Sequence, residues 1–222
     1  MSDVTTPVKE RPINLRRHEV HGIRAGRKTQ LRRIVKLQPR TKADIGHHGM
    51  GIPFVRNPDL LRRNHSCPYG KPGDRLWCKE TWKPGYYHDA DHEDGPKVSA
   101  IYQATNTEAV IAAPTYEMAK RWDREFSEDG HMPPRWRSPI VMPRWASRIL
   151  LEVTDVRVER VQDISEADAV AEGAERMHED DLGQTWLTHR RGFRSMWERT
   201  NGPGSWDANP WVWVLGFRRI EA

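Results

Sequence analysis

The stretch Ala25–Arg33, which reads A-G-R-K-T-Q-L-R-R, combines a turn residue with several cations. Gly26 adopts a positive φ angle without steric cost, so it can end one element and start the chain in a new direction. Four cations lie within seven residues of this corner, namely Arg27, Lys28, Arg32 and Arg33. Such a corner can hold an anion, a phosphate backbone or a polar base edge. A solvated basic turn would show the same pattern.

Positive charge is concentrated at the start of the chain. Residues 1–42 contain twelve Lys and Arg against three Asp and Glu, a net charge of +9, whereas the whole chain of 222 residues carries +5. A local basic segment on a chain that is otherwise slightly acidic predicts a docking face for a polyanion. A disordered tail would give the same distribution, and residues 1–10 are predicted to form a flexible basic N-terminal arm.

The elements before and after the corner are predicted from hydrophobic periodicity. Pro12–Arg16 alternates like a short strand, and Arg17–Ala25 has a helical stripe that stops at Gly26. Thr29–Leu37 predicts a second strand, with a β-branched pair in its second half. Lys28 therefore lies between a helix end and a strand.

The second half of the chain predicts elements that can face this corner. Ile149–Val158 predicts a long strand, and Ser165 is a good N-cap for a helix that ends at Gly173. A second helix is expected over about 186–199 and a buried closing strand over Trp211–Phe217. The fold class predicted is α+β with a β-barrel core.

Two segments lack a clear period and are predicted as insertions into a single domain of residues 11–222. The first covers about 38–70 and reads as a loop rich in Gly, Pro, His and Asn. The second covers about 83–135 and includes a strand at Lys97–Ala104, a helix at Tyr116–Phe126 and an acidic loop at His88–Glu93.

The motif G-x-K-x-x-x-x-R, formed by Gly26, Lys28 and Arg33, resembles the signature of the ASCH domain, a PUA-like β-barrel associated with RNA. The later order of strand, helix and closing strand is also similar to that family. The pieces G-R-K-T-Q, C-P-Y-G-K-P-G-D-R-L-W, M-P-R-W-A-S-R and N-G-P-G-S-W-D-A-N-P-W-V-W-V resemble a phage and prophage branch of ASCH-like proteins. The resemblance covers most of the chain except residues 83–135 and the N-terminal arm.

The resemblance implies a pocket for a nucleobase and, in one branch of the family, amidohydrolysis of acetylcytidine. In those hydrolases a Lys works with a Thr three residues later and a Glu from the downstream helix, so Lys28 and Glu172 match as catalytic residues. The Thr position is Leu31, which can neither attack a carbonyl nor donate a hydrogen bond. Three interpretations stay open: a pocket, a plain ion pair between Lys28 and Glu172, and an active hydrolase. The predicted ligand-binding residues are Gly26, Lys28, Thr29, Arg33, Trp145 and Glu172.

Ten tryptophans accompany a hydrophobic content of only 36%. Aromatic side chains beside cations suit stacking of unpaired bases, and Trp145, which follows Arg144, is the first candidate for this role. Trp206 and Asn209, in a Gly/Pro-rich turn, form the second candidate pair, although Asn209 can equally cap backbone groups there.

Other chemistry is not indicated by the sequence. Cys67 and Cys78 have neither metal-ligand spacing nor the pattern of a disulfide framework, so we expect reduced structural cysteines, no metal and no cofactor. No apolar run approaches the 18 residues of a membrane span, and Met1–Glu10 has no signal-peptide core, so we expect a protein of the host-cell cytoplasm without a membrane partner. The expected partner is RNA or a modified nucleotide or nucleoside. Binding to a host protein through the long insertions is a weaker alternative.

Overall fold

A computed structural model describes residues 7–88, 95–127, 135–179 and 184–221. The chain divides into two compact units. Unit 1 consists of residues 1–11, 22–76 and 151–219, and unit 2 of residues 12–21, 77–150 and 220–222. Of the predicted N-terminal arm, residues 1–6 lie outside the described residues, whereas the Lys9 amide donates to the Asp74 carboxylate at 3.1 Å.

The described chain combines strands with α-helices, and eight strands follow one another between the first and the second α-helix. The strands are β1 (Glu10–Asn14), β2 (Gln30–Ile34), β3 (Ile45–His47), β4 (Pro53–Val55), β5 (His65–Ser66), β6 (Arg75–Lys79), β7 (Trp82–His88), β8 (Lys97–Tyr102), β9 (Thr107–Ala112), β10 (Leu150–Arg160), β11 (Met177–Glu179), β12 (Gln184–Thr188) and β13 (Trp211–Ile220). The α-helices are α1 (Arg17–Arg24), α2 (Tyr116–Ser127), α3 (Glu166–Ala171) and α4 (His189–Asn201).

Unit 1 contains β2 and most of β10 and β13, together with the first residues of β1 and β6. These strands pair in the order β1–β6–β10–β13–β2, and β2 runs antiparallel to β13. Among the described residues no pairing closes the sheet into a barrel. The α+β class is therefore confirmed, and a PUA-like barrel stays a prediction.

The predicted turn at Gly26 is confirmed. Gly26 has φ +70°, and the amides of Arg27 and Lys28 both donate to the Gly22 carbonyl, at 2.9 and 3.1 Å. These bonds satisfy a carbonyl at the end of α1 and turn the chain toward β2. Lys28 is thereby held in place before the strand begins.

Helix α3 begins and ends as predicted. The Ser165 hydroxyl accepts the amide of Asp168 at 3.0 Å, as an N-cap does, and Gly173 follows the helix with φ +73°. Glu172 is the C-cap residue, so its side chain leaves the last turn of the helix. Helices α3 and α4 pack with the closing strand around the core of unit 1: Val161, Ile164, Ala169, Ala174, Phe193, Trp197, Trp206, Val212 and Val214.

The prediction of a loop over residues 38–70 was wrong in part. Strands β3, β4 and β5 form a small antiparallel sheet, in which Ile45 pairs with Val55 and Val55 with His65. Each strand has three residues or fewer, too few for an alternating pattern to be recognised. Gly46 lets this sheet form, because an added Cβ would lie 2.3 Å from the Phe54 ring.

Unit 2 contains an antiparallel sheet in the order β7–β8–β9. The strand predicted over Lys97–Ala104 and the helix predicted over Tyr116–Phe126 are confirmed as β8 and α2. The core of this unit contains Trp82, Val98, Ala100, Tyr102, Ala113, Ala119, Met142 and Ala146. Of the predicted acidic loop His88–Glu93, residues 89–93 lie outside the described residues.

Candidate functional site

Lys28 and Glu172, predicted as partners 144 residues apart, meet in the structure. The Lys28 ammonium donates to the Glu172 carboxylate and, at 2.8 Å, to the Glu172 backbone carbonyl. The Lys28 side chain is 2% exposed and the Glu172 side chain 3%. The Thr29 amide donates to the Ala171 carbonyl at 2.8 Å, so backbone and side chains together join the start of β2 to the end of α3.

Arg32, rather than the predicted Arg33, completes this contact. Arg32 Nη1 donates to Glu172 Oε1 at 3.1 Å, and Arg32 Nη2 binds the carboxylate of Glu159 and lies 3.4 Å from that of Asp168. Its side chain is 1% exposed, and its Cζ lies 5.5 Å from the centre of the Phe193 ring. Arg32 Nε finds no acceptor among the described residues.

The alternation of side chains along β2 explains why Arg32, and not the predicted Arg33, contacts Glu172. Arg33 pairs in register with Trp213, and its guanidinium donates back to the Arg32 carbonyl at 3.1 Å. Successive side chains of a strand point to opposite faces, so Arg32 and Arg33 cannot both face Glu172. The motif locates the strand, but it does not say which arginine faces α3.

Further polar groups surround Arg32. Gln30 donates to Asp168 at 2.9 Å, and Arg157 donates to the same oxygen at 3.1 Å. Partial burial opposes ionisation of Asp168, but the hydrogen bonds from Gln30 and Ser165 and the Arg157 guanidinium outweigh it and hold the Asp168 pKa well below its usual range.

We call these six charged groups the Lys28 network: Lys28, Arg32, Arg157, Glu159, Asp168 and Glu172. Three cations face three anions, so the network has no net charge at neutral pH. Lys28, Arg32 and Glu172 are almost fully buried, whereas the Arg157 side chain is 41% exposed. Removing one partner of the buried pairs should cost several kcal/mol, although forming them adds little stability over an apolar core. In this conformation the network joins strands β2 and β10 to helix α3.

Asp168, Glu159 and Arg157 were not predicted as site residues, and Arg32 was named only as one of the four cations at the corner. One signal was present: Asp168 and Glu172 are four residues apart, which places both carboxylates on one face of a helix. In the structure Lys28 and Arg32 lie opposite these two carboxylates. Glu159 lies on β10, and no local pattern links it to the corner.

The remaining predicted residues at this corner do not enter the network. Gly26 and Thr29 are exposed, and Thr29 pairs through its backbone, accepting the Phe217 amide at 2.9 Å. Leu31 is fully buried and pairs in register with Leu215. Because Leu31 is next to Arg32 in the strand, it faces away from Lys28 and Glu172.

The predicted tryptophan sites have structural roles. Trp145 belongs to unit 2, where it lies in a short 3-10 helix and packs against the apolar core of that unit. Trp206 is buried in the core of unit 1, and Asn209 accepts the Gln162 amide at 3.1 Å, as a capping side chain does. Trp206 also lines a small cleft with Arg190, Arg191 and Arg194.

Cys67 and Cys78 are buried and are not joined in a disulfide. Burial raises the pKa of Cys67 to about 12, so it is protonated at neutral pH. Within the described ranges, no three His, Cys, Asp or Glu side chains are grouped as metal ligands. No described helix combines the length and the apolar character needed to cross a bilayer.

Comparison with known proteins adds no relative. No family model matches the chain. Searches of curated proteins and of solved structures find no match either. The resemblance to the ASCH domain therefore stays a prediction that rests on the motifs quoted above and on the geometry of Lys28 and Glu172.

Proposed function

We propose that this chain is a nucleic-acid-binding protein with an ASCH-like, PUA-like fold of the phage and prophage type. The observation that carries the proposal is the exposure of the basic segment. Of the twelve Lys and Arg in residues 1–42, only Lys28 and Arg32 are buried, and eight are exposed: Lys9, Arg16, Arg17, Arg24, Arg27, Lys36, Arg40 and Lys42. Exposed cations can neutralise phosphates, which dominates the affinity of proteins for RNA and DNA.

In this proposal the Lys28 network positions the corner rather than reading a base directly. Lys28 and Glu172 satisfy each other inside the protein, and their charge is cancelled. Arg27 and Thr29, on either side of Lys28, are exposed and available to a nucleotide. The network fixes the backbone that presents them, which lowers the entropy lost on binding.

Oligonucleotide binding tests the proposal. A labelled single-stranded RNA and the corresponding DNA are titrated with the protein at several salt concentrations and read by fluorescence anisotropy. We expect affinity to fall steeply with salt. We also expect weaker binding by R24E/R27E than by R199E/R219E, which changes the net charge equally at exposed positions outside the basic segment. Absence of binding at low salt, or equal loss in both variants, would refute the proposal.

Amidohydrolysis of an N4-acylated cytosine nucleoside is the second candidate, and the contact between Lys28 and Glu172 favours it. A lysine paired with a carboxylate can move a proton during acyl transfer. Position 31, however, supplies no nucleophile, and its side chain faces away from the pair. Thus Leu31→Thr should restore no turnover of acetylcytidine.

The same substitution should destabilise the protein by about 2–4 kcal/mol, because it leaves a cavity and buries a hydroxyl in the core. Chromatography of the reaction mixture and thermal unfolding measure the two effects. Turnover by wild type that is lost in Lys28→Ala would establish the hydrolase instead, with a nucleophile other than residue 31.

A further inference from the structure

A cleft in unit 1 lies outside the corner and between two segments of the first predicted insertion. It has a volume of about 600 Å³ and is lined by residues of 37–44 and of 56–64, including Arg40, Arg56 and Arg62. A cleft of this size accommodates a ligand the size of a nucleotide. We propose that it holds one nucleotide of a bound single strand, with the phosphate on the arginines. This inference rests on the nucleic-acid binding proposed above.

The charge of the cleft favours an anion. Asp44 is the acidic residue among the lining side chains, against three arginines. Its carboxylate already accepts hydrogen bonds from the backbone amides of Arg40 at 2.8 Å and Thr41 at 2.9 Å. The lining therefore carries a net charge of about +2 at neutral pH, because arginine is protonated throughout. The Lys28 network, by contrast, is neutral.

The arginines can take a phosphate without breaking a strong interaction. Arg56 is oriented by one bond from Nε to the Ala43 carbonyl at 3.3 Å and by the Phe54 ring, 5.9 Å from its Cζ. Arg62 pairs with Asp59 at 3.1 Å, but both side chains are largely exposed, and such a pair contributes little. A phosphate offers guanidinium groups charge-assisted, bidentate hydrogen bonds, which are stronger.

The loop on one side of the cleft is fixed by its own side chains. The Asn57 amide donates to Asn64 Oδ1 at 3.1 Å, and the Asn57 side-chain amide donates to the Arg63 carbonyl at 3.3 Å. In the loop that these bonds close, Leu60 and Leu61 are 94% and 98% exposed to solvent. Leu60 also lines the cleft with Pro58. Exposed apolar side chains beside cations suit a nucleotide, because the base face and the phosphate then have separate partners.

The salt dependence of binding tests the inference. In R40Q/R62Q two of the three exposed arginines of the cleft are replaced, while Arg56 and the loop closure stay intact. Each phosphate contact contributes about 0.7 to the slope of log affinity against log salt for single strands. Because the cleft holds one phosphate, we expect a slope shallower by about 0.7 and an affinity about 5-fold weaker at 0.1 M salt. R199Q/R219Q is the matched control and should bind like wild type.

Two further measurements define the outcome. Leu60→Ser should weaken binding without changing the salt slope, because it removes apolar contact rather than charge. Polyglutamate of the same charge should compete less well than RNA. One outcome overturns the cleft proposal while the proposed function survives. In that outcome wild type binds RNA, and the R40Q/R62Q variant has an unchanged melting temperature and the same salt slope and affinity as wild type. Equal competition by polyglutamate also overturns it, and failure of wild type to bind RNA or DNA refutes both.

Discussion

Glu172→Gln is the sharpest test of the Lys28 network. Glu172 accepts Lys28 on one oxygen and Arg32 Nη1 on the other at 3.1 Å, with 3% of the side chain exposed. The substitution keeps the shape but removes the carboxylate that neutralises Lys28. Arg32 retains Glu159 and Asp168, whereas Lys28 retains the Glu172 backbone carbonyl. We expect a loss of about 3–5 kcal/mol, the cost of leaving one buried charge unpaired. For a chain of this size the melting temperature should fall by about 6–20 °C.

A double-mutant cycle separates the pair from its surroundings. Lys28→Met alone should cost less, about 1–3 kcal/mol, because Glu172 keeps Arg32. K28M/E172Q should be no less stable than Glu172→Gln, since the unpaired ammonium is gone, so the coupling energy should be about 2 kcal/mol. Urea unfolding followed by both tryptophan fluorescence and circular dichroism gives the free energies. Agreement of the two probes checks that the two units unfold together.

Arg27→Met is the matched control, because Arg27 precedes Lys28, carries the same charge and is exposed. Its effect should stay within about 0.5 kcal/mol. If Lys28→Met and Glu172→Gln each cost less than about 1 kcal/mol and simply add, the reasoning is refuted. The two charges would then be solvated in an open pocket, and a ligand-binding role for Lys28 would replace the positioning role.

Three further predictions concern unit 1. Gly192→Ala should destabilise α4 and lower the melting temperature, because the added Cβ would lie 1.7 Å from the Glu175 carbonyl oxygen. This clash should outweigh the helix preference of alanine over glycine, which is about 1 kcal/mol. An unchanged melting temperature would contradict this packing. Cys67 has a pKa of about 12, so only about one thiol in 10⁴ is ionised at pH 8. It should therefore react with iodoacetamide at pH 8 far more slowly in the native protein than in urea. Mass spectrometry of the alkylated peptide measures the rate of this reaction. Asp168 has a lowered pKa, so its stabilising effect is present above the unfolded pKa near 4 and is lost as pH falls below that value. Wild type should therefore lose melting temperature more steeply between about pH 4 and pH 2 than Asp168→Asn, and parallel curves would contradict the cause given for the shift.

Local signals explain which parts of the fold were predictable. The positive φ of Gly26 and the cap at Ser165 depend on residues within one turn, and both were recognised from the sequence. The long strand β10 and the closing strand β13 have enough residues to show their period. Strands β3 to β5 have too few, and their pairing depends on Gly46 fitting under Phe54, a contact across the sheet that no window of sequence contains.

The residues of the candidate site also divide into those that the sequence predicts and those that depend on the assembled sheet. Lys28 and Glu172 were found through the resemblance to the ASCH hydrolases, and each lies at the end of an element that a turn or a cap marks. The exchange of Arg33 for Arg32 depends on the side of β2 that faces α3. That side is set by pairing with β13, where Val214 lies opposite Arg32. A shift of one residue in this register would reverse the two arginines, so only the assembled sheet can distinguish them.

The position of the carboxylates also bears on where a polyanion can bind. The basic segment supplies cations to two places, and their surroundings decide what those cations can do. Lys28 and Arg32 point toward carboxylates of α3 and β10, which cancel their charge and exclude a phosphate by like-charge repulsion. Arg40, in the same segment, lies where the nearest lining acid is held by backbone amides. In the cleft proposal, a phosphate therefore gains more from the cleft than from the Lys28 network, and R40Q/R62Q should weaken RNA binding more than Lys28→Met does under conditions where both variants are folded.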